Sequence, residues 1–346
     1  MGMTAPLRDS FERAICATVV EESQIGAARR RAAALADLLG LDETERGRVG
    51  VIVTEAATNL VRHARDGLLV LQPVRGPRAG LEVISIDRGP GMRDPAQCLQ
   101  DGYSTGGTGG NGLGAIKRMS SEFDLDSKLG AGTILVARVW RDHDATGHAA
   151  AEVMFGGICT PIAGEEHVGD SWSLARSSDG FTIMVADGLG HGVDAEKASR
   201  QAIETFLAGS GESPTRIMEN AHSALRGTRG AAVAVARVER GGQEVRYAGV
   251  GNIAASVIAD GATRHMVSHP GIVGHQMSRV QEFRYPWSDR SLLVLASDGI
   301  RTQWRLDEYP GINRRHPTLI AAAIWRDFSR GRDDATVVVA QGPALR

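Results

Sequence analysis

The chain has 346 residues, more than one average core accommodates, so two domains are expected. Hydrophobic residues make up 42% and charged residues 23%, an ordinary globular balance that excludes a disordered protein. With 39 basic against 41 acidic residues the formal net charge is -2, which argues against nucleic acid as a partner. In chain order, residues 25–40 are alanine-rich with apolar residues at helical spacing, and Gly40 marks a stop. The basic run Arg29–Arg31 reads as one solvated face of that helix. A second helix spans 41–63, with Asp42 as its cap and Val49, Ile52, Val53, Ala56 and Leu60 along its apolar stripe. The period then changes to two over 67–72, 80–87 and 132–140, which reads as strands of one mostly antiparallel sheet. Between them, 112–121 reads as a helix starting directly after a glycine-rich loop.

Residues 141–151 are small, polar and aperiodic, the composition of a linker. Beyond it, strands are predicted over 181–186, 231–238, 245–250, 253–259, 292–296 and 336–340, with helices over 194–208, 215–225 and 317–328. The fold class is therefore α+β: an α/β sandwich over residues 10–140, the linker, and a helix-flanked β-sandwich over 152–346. Cys16, Cys98 and Cys159 lack the paired spacing of a zinc or redox site and read as reduced core thiols. No basic-then-apolar leader pattern and no apolar run near 18 residues occurs, so a cytoplasmic chain with no membrane partner is expected.

Two constellations carry chemistry. In the first, Glu55 and Asn59 lie four apart on the second helix and so share a face, which His63 extends. A carboxylate beside an amide can activate a hydroxyl and hold a hard cation. Downstream, Asp87-Arg-Gly-Pro-Gly91 ends a strand, Gly106-Gly-Thr-Gly-Gly-Asn-Gly-Leu-Gly114 opens a helix, and Gly130-Ala-Gly-Thr133 precedes the last strand. Successive glycines let backbone approach phosphates, and helix N-terminal amides attract anions. In this order the motifs resemble the GHKL (Bergerat-fold) ATPase family over roughly residues 10–140. Within it they resemble the anti-sigma serine kinases of stress pathways, which phosphorylate STAS-domain proteins. The resemblance implies ATP and Mg2+, with Glu55 as general base, Asn59 on Mg2+ and Asp87 on adenine. Gly89, Gly91, Gly110, Gly112 and Gly114 would surround the phosphates, and Thr133 would line the pocket. No phosphoacceptor histidine helix precedes the motifs, which disfavours a histidine kinase; His63 is assigned to pocket support or packing.

In the second constellation, Asp170, Asp187, Asp298 and Asp333 sit at ends of predicted strands, in Val-Gly-Asp, Asp-Gly, Asp-Gly and Asp-Asp contexts. Acids gathered without a cation would repel one another, and a pair of divalent ions removes the repulsion. An oxygen-only donor set points to Mg2+ or Mn2+ and to phosphoester hydrolysis. These boxes resemble the metal-dependent PPM phosphatases of the SpoIIE-type branch over about 152–341. The resemblance implies Asp170, Asp187, Asp298 and Asp333 as ligands of two ions, with Asp187 bridging and catalytic and the Gly188 carbonyl completing the set. Asp334 is a neighbour without an assigned part, His191 is assigned equally to the phosphate or to a turn, and no phosphate-binding arginine is assigned. Together the resemblances imply a bifunctional partner-switching enzyme: a serine kinase and a phosphoserine/phosphothreonine phosphatase acting on a STAS-domain antagonist or stressosome-type protein. The alternative is a phosphatase governed by an ATP-binding module that transfers nothing. The resemblance also leaves two assemblies open, since kinases of this type are often met as dimers, here a homodimer, or in larger assemblies with their partner.

Overall fold

A computed structural model describes residues 7–10, 14–74, 78–100, 112–141, 153–277 and 279–345. The chain divides into two compact units, Phe11–Gly147 and a second made of Met1–Ser10 with His148–Arg346. The division differs from the expected start at residue 10, because the first strand, β1 (Leu7–Ser10), joins a sheet of the second unit. The expected linker falls almost wholly outside the described residues.

The first unit runs β2 (Ile15–Thr18), α1 (Glu22–Leu38), α2 (Glu43–His63), β3 (Leu68–Val74), β4 (Gly80–Ile86), α3 (Pro95–Cys98), α4 (Gly112–Met119), β5 (Glu122–Lys128) and β6 (Gly132–Trp140). Its five strands form an antiparallel sheet in the order β2-β3-β4-β6-β5. Alternation aims Leu69, Leu71, Leu81, Val83, Leu135, Ala137 and Val139 at one face, where they pack with Ala28, Ala32, Val49, Ile52, Val53, Ala56 and Leu60 of α1 and α2. α2 begins with a reciprocal cap: Glu45 N–H donates to Asp42 at 2.8 Å and Asp42 N–H donates to Glu45 at 2.7 Å. That cap fixes where the helix starts, and with it the rotation of every residue on its faces.

The second unit continues through β7 (Met154–Thr160), β8 (Asp170–Ser177), β9 (Gly180–Gly188), α5 (Val193–Ala208), α6 (Pro214–Ala224), β10 (Ala231–Glu239), β11 (Glu244–Val250), β12 (Ala254–Ala259) and β13 (Ala262–His265). The short pair β14 (Gly271–Ile272) and β15 (Gln276–Met277) follows, then β16 (Phe283–Pro286), β17 (Leu292–Ala296), α7 (Pro317–Phe328) and β18 (Ala335–Gln341). One sheet is ordered β1-β8-β9-β10-β11-β16 and the other β13-β12-β17-β18-β7. Met184, Ala186, Val233, Val235 and Ala248 pack outward against Ala198, Ala202, Phe206, Ile217 and Met218 of α5 and α6. On the opposite face of the same sheet, Trp172 meets the backbone of β7 at Gly157, so the two sheets stack face to face. α7 covers the other sheet, its chain at Thr318 pressed onto Gly156 of β7. The result is a helix-flanked β-sandwich. Among the described residues no helix is long and apolar enough to cross a membrane.

Candidate functional site

In the first unit, α2 buries Ile52, Val53, Ala56, Ala57 and Leu60, which leaves Glu55 and Asn59 half-buried on its flank, one turn apart. That flank meets the start of α4. A β-carbon at Gly112 would lie 2.7 Å from Glu55 Oε2 and 3.9 Å from Asn59 Oδ1, so a larger residue there would displace the carboxylate. Gly114 is buried one half-turn further on, and Gly110 lies outside the described residues.

The turn after β4 is held from three sides. Asp87 N–H donates to the Thr133 carbonyl at 2.9 Å, and Asp87 Oδ1 accepts from Gly89 N–H at 2.6 Å. Gly89 rests against the carbonyl of His63, at the C-terminal end of the helix that carries Glu55 and Asn59. The His63 side chain is exposed, and its contribution here is a backbone contact. Gly91 (φ +66°) and Gly132 (φ +85°) adopt left-handed backbone, with the carbonyls of Lys128 and Asp87 crowding the space a side chain would fill. Ser127 was not legible as a site residue: its hydroxyl accepts from Met92 N–H at 2.9 Å and lies 2.9 Å from Thr133 Oγ1, tying the Asp87 turn to the β5–β6 turn. Replacing Gly132 by Ala is therefore expected to cost roughly 1–3 kcal/mol of stability from strained backbone alone, read as a lowered melting temperature, and to weaken nucleotide binding as Asp87 shifts.

In the second unit the acids gather at one end of the sandwich. Asp170 opens β8 and Asp187 lies next to last in β9, directly opposite it in the antiparallel register. Alternation puts Asp170 on the face of Trp172 and Leu174, and Asp187 on that of Phe181, Ile183 and Val185, away from the helices. Asp298 follows β17 and Asp333 precedes β18, which pair as neighbours in the opposite sheet. Ser297 crosses between the sheets: its hydroxyl donates to Asp170 Oδ2 at 2.7 Å and accepts from Thr336 N–H at 2.9 Å. Asn252 donates to Asp298 Oδ2 at 2.7 Å. Gly188 N–H donates to the Gly169 carbonyl at 3.0 Å, and α5 packs at Ala195 against the Gly188 backbone.

Asp334 behaves differently from its neighbour. Both its oxygens accept backbone N–H groups, Oδ1 from Ile162 at 2.8 Å and Oδ2 from Gly169 at 2.6 Å, so it pins the loop that presents Asp170. His191 is exposed and pairs with Glu165 at 3.2 Å. His167 hydrogen-bonds to Glu196 at the start of α5. Ser297, Asn252 and Asp334 are thus supporting residues that the motif reading did not assign.

Burial pushes the Asp187 carboxyl well above the ordinary carboxylate range, and Asp170, Asp298, Asp333 and Asp334 push it further. Asp170 is raised chiefly by burial, with the Ser297 hydrogen bond opposing. Burial, then Asp333, raises Asp298, while Arg330 opposes. Among the described residues no three acidic or histidine groups form a closed ligand cage. The acids repel one another and offer oxygen donors only, the donor chemistry of hard divalent ions rather than of zinc.

The comparisons agree with this division. Residues 19–139 match the histidine kinase-like ATPase domain, and residues 177–342 match stage II sporulation protein E (SpoIIE). The serine/threonine-protein kinase RsbT of Bacillus subtilis (strain 168) is 35% identical over 127 residues, which are 36% of this chain and 95% of RsbT. A solved chain described as "The bacterial stressosome: a modular system that has been adapted to control secondary messenger signaling" is 27% identical with a TM-score of 0.52, covering 55% of this chain and 100% of its own. The PP2C phosphatase domain and regulatory fragment of SpoIIE from Bacillus subtilis align at 14% identity and a TM-score of 0.46, over 92% of this chain and 95% of that one. This polypeptide belongs to the RsbT-like histidine kinase-like ATPase family through its first unit, which it joins to a SpoIIE-type PPM phosphatase domain.

Proposed function

We propose that the chain is a bifunctional partner-switching enzyme of the cytoplasm, one unit phosphorylating a serine on a STAS-domain protein and the other removing phosphate from phosphoserine or phosphothreonine. The observation that carries the phosphatase half is the convergence of Asp170, Asp187, Asp298 and Asp333 at one end of the sandwich, with burial and mutual repulsion raising Asp187. The kinase half rests on the RsbT likeness and on Glu55 standing against the start of α4.

In the kinase reading Glu55 takes the proton of the acceptor hydroxyl as it attacks phosphorus. Asn59 holds Mg2+, Asp87 accepts from the exocyclic amine of adenine, and Gly89, Gly91, Gly110, Gly112 and Gly114 line the phosphates beside Thr133. In the phosphatase reading Asp170, Asp187, Asp298, Asp333 and the Gly188 carbonyl hold two Mn2+ or Mg2+ ions, which supply an activated water and neutralise charge on the phosphoryl oxygens. Ser297 fixes one oxygen of Asp170, and Asp334 fixes the loop beneath it, so the ligands are oriented before any ion arrives. The partner that fits is a STAS-domain antagonist or a stressosome-type assembly, in keeping with the stressosome likeness.

The test is a paired assay with a STAS-domain protein as partner. Labelled ATP and Mg2+ are added first, then ATP is removed and Mn2+ supplied. Label gained and then lost is the expected result. Loss from pre-phosphorylated partner with no gain would replace the kinase by a nucleotide-binding control module, and neither gain nor loss would end the proposal.

A further inference from the structure

Adenine presents a donor and an acceptor side by side, its 6-amino group and the ring nitrogen N1. A pocket that reads both needs an acceptor beside a donor. Asp87 supplies the acceptor in the reading above. A threonine hydroxyl can give or take a hydrogen, so Thr133 can read N1 only where a neighbour fixes which of the two it does.

Three strands bring the relevant residues into one row. Ile86 of β4 pairs with Ile134 of β6, and one step further Asp87 N–H donates to the Thr133 carbonyl at 2.9 Å. Thr133 in turn stands directly opposite Ser127 of β5. The alternation that packs Val83, Leu125 and Leu135 against α1 and α2 puts Asp87, Ser127 and Thr133 on the same side of the sheet, the side on which α2 lies.

Ser127 Oγ accepts from Met92 N–H at 2.9 Å and has one hydrogen to give. Two acceptors compete for it. The Gly132 carbonyl is 3.2 Å away, outside the usual O–H···O span of about 2.5–3.0 Å, and Thr133 Oγ1 is 2.9 Å away, inside it. The Ser127 hydrogen therefore goes to Thr133, which leaves the Thr133 hydrogen for a ligand. Gly130 N–H donates to the Pro90 carbonyl at 2.7 Å and so holds the Asp87 turn and the β5–β6 turn together around this contact. Resting on the nucleotide-binding reading above, we propose that Ser127 is a positioning residue for base recognition, holding the Thr133 hydroxyl as a donor to N1 of adenine while Asp87 takes the amine. Its contribution is to the choice of base and not to phosphate transfer.

The experiment measures the affinity of the full-length protein for ATP and for 1-deaza-ATP, which keeps the amine but lacks N1, by displacement of a fluorescent ATP analogue in Mg2+. The wild type should bind ATP about threefold to tenfold more tightly than 1-deaza-ATP, the effect of one neutral hydrogen bond. Ser127→Ala and Thr133→Val should each bring that ratio close to one, and combining them should change it no further. Ser127→Thr, which keeps the hydroxyl, should keep the ratio. A wild-type ratio in Ser127→Ala, with both nucleotides weakened alike, overturns the proposal and makes Ser127 a brace between the two turns only. A wild-type ratio in Thr133→Val overturns it as well, whether or not Ser127→Ala folds, and so does a wild type that binds both nucleotides equally. A wild-type protein that binds neither nucleotide would instead remove the nucleotide-binding reading itself.

Discussion

Asp187→Asn is expected to lower Mn2+-dependent hydrolysis by about a hundredfold to a thousandfold and, in chelator, to raise the melting temperature of the same protein. The two effects share one cause. Asp187 lies opposite Asp170 in the register and is repelled by Asp170, Asp298, Asp333 and Asp334, so without ions its charge opposes folding. The amide keeps the shape and removes the charge, and on the proposed two-ion reading it also removes one carboxylate donor. The sign with pH follows from linkage. The folded carboxyl titrates above the unfolded one, so the folded state binds the extra proton and the metal-free protein loses stability as pH rises from about 4 toward the raised folded value. Lowering the pH restores it. The variant should flatten that slope. Mn2+ at 100 times its dissociation constant should stabilise the wild type by about 2.7 kcal/mol and the variant far less. Thermal melts with and without Mn2+ between pH 5 and 8, together with turnover, check both halves. Retained Mn2+-dependent turnover, or an apo melting temperature that drops, would remove Asp187 from the proposed ligand set.

Glu55→Gln should reduce serine phosphorylation roughly 10²–10⁴-fold while leaving ATP affinity close to that of the wild type. The two side chains have nearly the same volume, and the entry of α4 at Gly112 demands little more of the residue than its size. What the amide cannot do is accept the proton of the attacking hydroxyl. Asn59→Ala is the complementary change, expected on the proposed reading to abolish use of Mg2+-ATP while sparing hydrolysis in the other unit. Label transfer from ATP to a STAS-domain protein, alongside nucleotide binding by fluorescence, separates the two. Transfer that survives Glu55→Gln would show that another group takes the proton.

Much of the site was written locally. Helical periodicity placed Glu55 and Asn59 on one flank of α2, and the alternation of Phe181, Ile183 and Val185 places Asp187 on the inner face of β9. Strands with a single amphipathic signature were predicted; those with disguised faces were not. β8 begins Asp-Ser-Trp-Ser, and its small polar residues face α5, where Ser171 meets Ser199 at 2.9 Å. β5 alternates with acids and ends in lysine, and β7 carries two glycines where Thr318 and Trp172 press onto the backbone. The four residues of β1 carry no pattern of their own, and their strand exists through pairing with β8.

Sequence by itself determined the order of the glycine turns, the helix bearing Glu55, and the delivery of acids to strand ends, because each depends on a period or turn read over a few residues. Only the tertiary structure shows what Asp334 does. The amides that occupy Asp334 belong to Ile162 and Gly169, 172 and 165 residues away, and no local pattern encodes so distant a hydrogen bond. The same holds for Ser297, whose hydroxyl reaches Asp170 across 127 residues. Strand pairing and sheet stacking set those distances, and they follow from burial of the whole sandwich rather than from any segment within it.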